Sequence, residues 1–168
     1  MKLYIPSKEE AADLLRAPTQ FRGMLVCESA LPPSILLEQA LAAEEGDWRM
    51  PRLFGDEGMG QVVGSGGFKS APRQRRVEIG YGVAPACQGR GYATAGVQML
   101  VAEAFSSGLV DEVCAETSLA NAASQRVLEK AGFSIAGSGQ DEEGPVKLWA
   151  MKRWPNHALQ PTPLTRRG

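Results

Sequence analysis

The stretch Gln88-Gly89-Arg90-Gly91-Tyr92-Ala93 stands between two segments of opposite periodicity. Before it, Val77-Glu78-Ile79-Gly80-Tyr81-Gly82-Val83 alternates as a strand does. After it, Val97, Leu100, Val101, Ala104 and Phe105 recur at helical spacing as far as Gly108. The stretch therefore opens a helix at a strand-to-helix crossing. A helix N-terminus carries unpaired N–H groups and partial positive charge, and so attracts anions. Gly89 and Gly91 lack a Cβ, which lets the backbone curl and lets a phosphate come close to the N–H groups. Arg90 adds a full positive charge. These residues together describe a diphosphate cradle on a crossover helix.

Two other phosphate motifs are excluded. A P-loop ends in Gly-Lys-Ser/Thr, and no such tripeptide occurs in the chain. The dinucleotide fingerprint needs a third glycine three positions after the second, where this chain has Thr94. On spacing alone, a glycine-rich turn that merely starts a helix is an equal reading.

The stretch follows Glu78-Ile79-Gly80-Tyr81-Gly82-Val83-Ala84-Pro85, and together they resemble the acyl-CoA pyrophosphate motif (Gln/Arg-x-x-Gly-x-Gly/Ala) of the GNAT superfamily of N-acetyltransferases. A second block, from Asn121-Ala122-Ala123-Ser124 to Lys130-Ala131-Gly132-Phe133, resembles the Asn-x-x-Ser…Lys-x-Gly-Phe block of the same superfamily. Its serine form is typical of the branch that includes ribosomal-protein N-terminal acetyltransferases. The two motifs occur in the right order at a natural separation. The resemblance spans about residues 60 to 153, and residues 1 to 50 share it only loosely. It implies a single α/β domain over residues 1–154 with a mixed, mostly antiparallel sheet and helices on both faces, followed by a polar tail over 155–168.

Composition agrees with one ordinary domain. The chain has 168 residues, 43% hydrophobic and 22% charged, which suffices for a sizeable core and argues against disorder of the whole chain. The net charge of −1 argues against general nucleic-acid binding. Cys27, Cys87 and Cys114 are widely spaced, which suggests a reducing compartment and no zinc or redox pair. There is no run long enough for a membrane span and no signal-peptide pattern. The expectation is a cytoplasmic protein without membrane or metal. The single histidine, His157, lies in the polar tail, so Ser-His or Cys-His chemistry has nothing to work with. Cys87, without a histidine partner, is expected to be incidental. The chemistry falls to carboxylates, hydroxyls and backbone dipoles.

The rest of the chain reads in order. Ser7-Lys8-Glu9-Glu10 is a capping box before a short helix. Residues 21 to 28 read as a strand, and Ser34 as the cap of a helix from Ile35 to about Glu45. Residues 52–55 and 60–69 read as a hairpin in which Gly64, Gly66 and Gly67 mark a bulge. Ser70 to Arg76 is a basic turn, solvated on the bland reading and an anion-binding patch on the sharper one. In the next strand Val77, Ile79, Tyr81 and Val83 share one face, and Glu78, Gly80 and Gly82 the other. The bare second face leaves room either for a ligand or for a closely packed helix. Residues 110–117 form a strand parallel to 77–83 by a right-handed crossover. A helix from Asn121 to Ala131 follows, then a hairpin of residues 133–136 and 146–153 across Gln140 to Gly144.

The resemblance implies acetyl transfer from acetyl-CoA to an amine, a peptide N-terminus or a small molecule, by direct attack. In the family the two central parallel strands splay apart and the pantetheine arm pairs with the first. That places Tyr81, Gly82 and Val83 along the arm, the Val83 N–H on the thioester carbonyl, and Gln88, Gly89, Arg90, Gly91, Tyr92 and Ala93 on the diphosphate. Asn121 is explained as an N-cap by its position alone, and by the resemblance also bonds the arm. Ser124 is a solvent-facing serine on the bland reading, and on the resemblance a hydrogen-bond donor to the departing thiolate. Many relatives carry a tyrosine acid four residues later, where this chain has Leu128. Glu78 is the expected general base, since an alkyl amine must lose a proton before it attacks. Five residues, roughly 17 Å of strand, separate it from Val83, so a water chain or a bulge has to intervene. Asp141-Glu142-Glu143 is expected either to frame the acceptor as an acidic rim or to be a soluble hairpin tip. The resemblance allows a homodimer without implying one. A non-catalytic acyl-CoA-binding module and a nucleotide-binding or interaction protein are the alternatives.

Overall fold

The computed structural model describes residues 1–44, 46 and 48–153. The elements are β1 (Lys2–Tyr4), α1 (Lys8–Arg16), β2 (Gln20–Phe21), β3 (Met24–Val26), α2 (Ser34–Ala42), β4 (Arg52–Asp56), β5 (Gln61–Phe68), β6 (Arg76–Val83), α3 (Tyr92–Ser106), β7 (Glu112–Ser118), α4 (Ala122–Ala131), β8 (Ser134–Asp141) and β9 (Gly144–Lys152), with a 3-10 turn at Pro85–Cys87 before α3. The strands make one sheet in the order β1-β4-β5-β6-β7-β9-β8, and β2 and β3 form a small hairpin beside β5. Pairing is antiparallel except between β6 and β7 and in the short contact of β3 with β5. This is the mixed, mostly antiparallel sheet expected, and it forms a single domain.

Helices cover both faces. α3 buries Val97, Leu100, Val101 and Ala104 against one face. There Phe54 of β4 seats its ring against Gly96 of α3 and Gly66 of β5. A Cβ at Gly66 would lie 2.9 Å from Phe54 Cζ and 3.0 Å from Leu100 Cδ1. Gly66 is thus paired with an aromatic ring, while the bulge is at Val63, where Phe54 pairs with Gly64 and Gly55 with Val62. α1 and α2 pack on each other beside the opposite face. α1 has the predicted capping box: Ser7 Oγ accepts from the Glu10 N–H and Glu10 accepts from the Ser7 N–H. Arg52 is 5% exposed, yet its charge is met by Glu103 of α3 and by the carbonyls of Trp48 and Met50. It thereby fixes the connection that carries Arg49.

Several elements differ from expectation. Residues 21 to 28 are two short strands, β2 and β3, folded over Arg22 (φ +47°) and Gly23 (φ +79°). Ser34 lies inside α2 rather than capping it; Pro33 is the cap residue and no side chain caps the helix. The last hairpin is longer than expected, with Asp141 Oδ1 accepting from the N–H groups of Glu143 and Gly144 at its tight turn. Arg75 of the basic turn pairs with Asp111 and Arg76 with Glu112, so the turn ties β6 to β7. Cys27 and Cys87 were not expected to meet, but their Sγ atoms are 3.5 Å apart, because the segment after β3 crosses the 3-10 turn. Burial pushes the Cys27 thiol upward, and its contact with Cys87 adds to the shift. His157 and the tail from 155 lie outside the described residues.

Candidate active site

β6 and β7 pair only through Arg76–Glu112, Val77–Val113 and Glu78–Cys114. Beyond that point they part. Two bonds to β5 fix the phase of β6: the Lys69 N–H donates to Glu78 O (2.9 Å) and the Ala84 N–H to Val63 O (2.8 Å). In an antiparallel ladder such bonds come at alternate residues. Glu78, Gly80, Gly82 and Ala84 therefore face β5, and the backbone groups of Tyr81 and Val83 face the gap toward β7. Buried or half-buried backbone groups demand partners, and an inserted amide-bearing chain would supply them. Val83 O already accepts from Gln88 Nε2 at 3.3 Å.

The gap leads to the N-terminus of α3. Gly89 (φ +74°) and Gly91 (φ +81°) both adopt the left-handed conformation, and a Cβ at either would meet nothing within 4 Å. Glycine is needed at these positions for the curl, and the space outside is open. Gln88 donates its N–H back to Pro85 O, which leaves the five N–H groups from Gly89 to Ala93 without a carbonyl acceptor among the described residues. Arg90 is exposed beside them. On the far side Tyr92 Oη donates to Asp56 Oδ2 at 2.5 Å, which ties the start of α3 to the end of β4.

α4 begins across the gap. Asn121 Oδ1 accepts from the Ser124 N–H at 3.0 Å, as its capping role requires, which leaves its side-chain amide nitrogen for another partner. Ser124 Oγ lies 2.7 Å from Tyr81 Oη. The sequence offered no sign of this bridge, because 43 residues separate the two side chains. Tyr81 was expected to act through its backbone, yet its phenol spans the opening between β6 and α4. Burial pushes the Tyr81 phenol upward, and its bond to Ser124 opposes the shift. It therefore stays protonated and able to donate. Leu128 is fully buried.

The opposite face of β6 borders a cavity of about 440 Å³ between the sheet and α2. A Cβ at Gly80 or Gly82 would meet nothing within 4 Å, so the bare face is open and no helix is packed on it. Glu78 sits on this face, further along the strand. Lys69 Nζ forms an ion pair with Glu78 Oε1, but Oε1 is buried and accepts no hydrogen bond. Asp141, Glu142 and Glu143 do not line the cavity. Among the described residues no His/Cys/Asp/Glu cluster suited to a metal occurs, and no helix is long and apolar enough to cross a membrane.

A family model described as an acetyltransferase (GNAT) domain matches residues 32–134, more than half of the chain. No curated protein is significantly similar to it. Among solved structures, an aminoglycoside acetyltransferase AAC(6')-Ib with ribostamycin and coenzyme A is 20% identical, with a TM-score of 0.65, covering 90% of this chain and 93% of that one. The yncA acetyltransferase of Salmonella typhimurium with acetyl-CoA is 18% identical, with a TM-score of 0.64 and coverage of 94% and 96%. A spermidine N-acetyltransferase chimera from Vibrio cholerae and hSSAT is 14% identical, with a TM-score of 0.65 and coverage of 90% and 94%. At these identities the structures fix the fold.

Proposed function

The chain belongs to the GNAT acetyltransferase family and is an acetyl-CoA-dependent acetyltransferase, and on that premise we propose that it acetylates a primary amine, on a peptide or a small molecule, by direct attack. The observation that carries this reading is the parting of β6 from β7 beyond Glu78, which leaves the Tyr81 backbone and the Val83 N–H facing a gap that leads to the free N–H groups of Gly89–Ala93. The diphosphate of acetyl-CoA binds those N–H groups and Arg90. Its amide-bearing arm pairs with β6 as an added strand and takes a further bond from the Asn121 amide. The Val83 N–H polarises the thioester carbonyl and stabilises the charge that develops on its oxygen.

The amine arrives from the glycine-bearing face of β6. Glu78 accepts its proton through water, since the strand distance rules out direct contact. Collapse of the tetrahedral adduct breaks the C–S bond and leaves a thiolate. Ser124 Oγ, held beside the Tyr81 hydroxyl, donates a hydrogen bond to the thiolate, which takes up its proton from solvent as coenzyme A leaves. Leu128 has none to give.

The substitution Gly91→Asp tests the cofactor assignment. Aspartate is among the few residues that adopt the left-handed conformation, and the space at Gly91 is open, so the variant is expected to fold at some cost in backbone strain. Its carboxylate stands where the diphosphate must approach. Calorimetry should show acetyl-CoA affinity reduced by about two orders of magnitude or more with an unchanged circular dichroism spectrum. Unchanged affinity would remove residues 88 to 93 from the cofactor site.

A further inference from the structure

Among the described residues three polar side chains are buried: Arg52, Ser65 and Thr117. Arg52 is met by Glu103, and Thr117 Oγ1 accepts from Trp149 Nε1 at 2.8 Å. Ser65 is different. It is 6% exposed, and its hydroxyl has no hydrogen-bond partner among the described residues. A hydroxyl taken from water without a partner costs free energy that an alanine there would avoid. The sheet fixes where it points. Gly66 turns toward Phe54 and Leu100 on the side of α3. By alternation Ser65 turns to the opposite face, where it borders the cavity of about 440 Å³. Ser65 pairs with Gly82, and residues paired across antiparallel strands present their side chains to one face. Gly82 has no side chain, and a Cβ there would meet nothing within 4 Å. The way from the Ser65 hydroxyl across β6 toward the Val83 N–H is therefore open.

We propose that Ser65 Oγ positions the acceptor through a hydrogen bond to an uncharged polar group next to the attacking amine. The inference rests on the proposed acetyl transfer at this site and specifies how its second substrate is held. Paired Cα atoms at a hydrogen-bonded position such as Ser65–Gly82 lie about 5.5 Å apart. An amine that attacks beside Val83 is on the far side of β6 from Ser65, so it is too distant to meet the hydroxyl itself. A carbonyl or hydroxyl on the carbon next to the amine-bearing carbon reaches back over Gly82, and a hydrogen bond of about 2.8 Å closes the rest. The remaining wall sets the body of the acceptor. Leu31, Pro32, Pro33 and Leu36 line the side toward α2. Such a surface receives an apolar chain but gives it no direction. One hydroxyl set in an apolar wall supplies the orientation. The acceptor class is thus an apolar primary amine that carries a vicinal carbonyl or hydroxyl.

The test compares the unaltered protein with Ser65→Ala on three amines that share one apolar body: leucinamide, leucinol and 3-methylbutylamine, which lacks the vicinal group. Release of the coenzyme A thiol gives kcat/KM, and the ratio of variant to unaltered protein for each amine cancels the differences in amine basicity. The ratio should fall about five- to tenfold for leucinamide, leucinol or both, and by less than about twofold for 3-methylbutylamine. Which of the first two loses more tells a carbonyl from a hydroxyl. Acetyl-CoA affinity by calorimetry should be unchanged. The denaturant midpoint of Ser65→Ala should be unchanged or higher, because the hydroxyl it removes makes no bond in the fold. Equal losses on all three amines, or no loss on any, overturn the role of Ser65, and a lowered midpoint with equal losses marks it as structural. No turnover of any of the three by protein that binds acetyl-CoA overturns the acceptor class and leaves the cofactor reading standing. Failure to bind acetyl-CoA strikes instead at the proposed function.

Discussion

Glu78 is tied into the site by what surrounds it. It lies at the last paired position of β6 and β7, on the face that carries Gly80 and Gly82, and its Oε1 is buried beside Lys69 without accepting a hydrogen bond. Glu78→Gln keeps the shape and removes the proposed base. It should leave acetyl-CoA affinity intact and lower kcat/KM by about 10²-fold at neutral pH. The deficit should shrink as pH rises, because the amine then loses its proton to solvent. Steady-state kinetics between neutral and strongly alkaline pH would show this. A flat, near-normal profile for the variant removes Glu78 from proton transfer and leaves water alone as the acceptor. Ser124 and Tyr81 lie on the other side of the sheet, bonded to each other.

At the scale of elements, the site depends on how closely α3 sits on the sheet. Gly96 of α3 and Gly66 of β5 flank the Phe54 ring, and a Cβ at Gly96 would collide with that ring. Gly96→Val should therefore lower the unfolding free energy by about 1–3 kcal/mol through overpacking. Phe54→Leu in the same chain should return part of the loss, which denaturant titration of the two single variants and the double variant would measure. Additive losses would mean that the helix moves rather than the ring. This packing was not legible in the sequence, where Gly66 read only as a bulge and Gly96 as one more small residue in a helix. β6 and α3 were legible, because their burial follows clean alternation and clean helical spacing. β8 was not: all eight of its residues are exposed at the sheet edge, so no buried face imposes a period on Ser134–Asp141. The β2–β3 fold was hidden by Arg22, which takes a conformation that sequence signals assign to glycine. The left-handed turn of Gly89 and Gly91 before α3 was readable from local glycine chemistry. The Tyr81–Ser124 bridge and the Cys27–Cys87 contact are products of tertiary folding and leave no local trace.

Over the whole molecule, exposed carboxylates tie segments that are far apart in the chain. Glu57 accepts from Lys2 and Tyr4 and so fastens β1 to the turn after β4. Glu10 pairs with Arg22 and fastens α1 to the β2–β3 turn. Asp56 accepts from Tyr92 at the start of α3, and Asp111 pairs with Arg75 across the start of β6 and β7. Each partner holds its carboxyl below the ordinary value: Lys2 for Glu57, Arg22 for Glu10, Tyr92 for Asp56 and Arg75 for Asp111. A carboxyl depressed by folding contributes stability that is present above its unfolded value, about 3.9 for aspartate and 4.3 for glutamate. That contribution is lost as pH falls through the lower folded value. The melting temperature should therefore hold nearly constant from pH 7 to about pH 5 and decline below that. Glu57 and Asp111 are exposed and Glu10 and Asp56 half-buried, so salt should flatten the decline, mainly through the first two. The combined change Glu10→Gln, Asp56→Asn, Glu57→Gln and Asp111→Asn should flatten it too, after lowering the neutral-pH value. Thermal scans of both proteins from pH 7 to pH 3, at low and high salt, measure all of this. Parallel declines for the two proteins would place the acid sensitivity elsewhere. The Asp56–Tyr92 tie also links this to the site: it braces the first turn of α3, so acetyl-CoA binding should weaken over the same acid range in which the fold does.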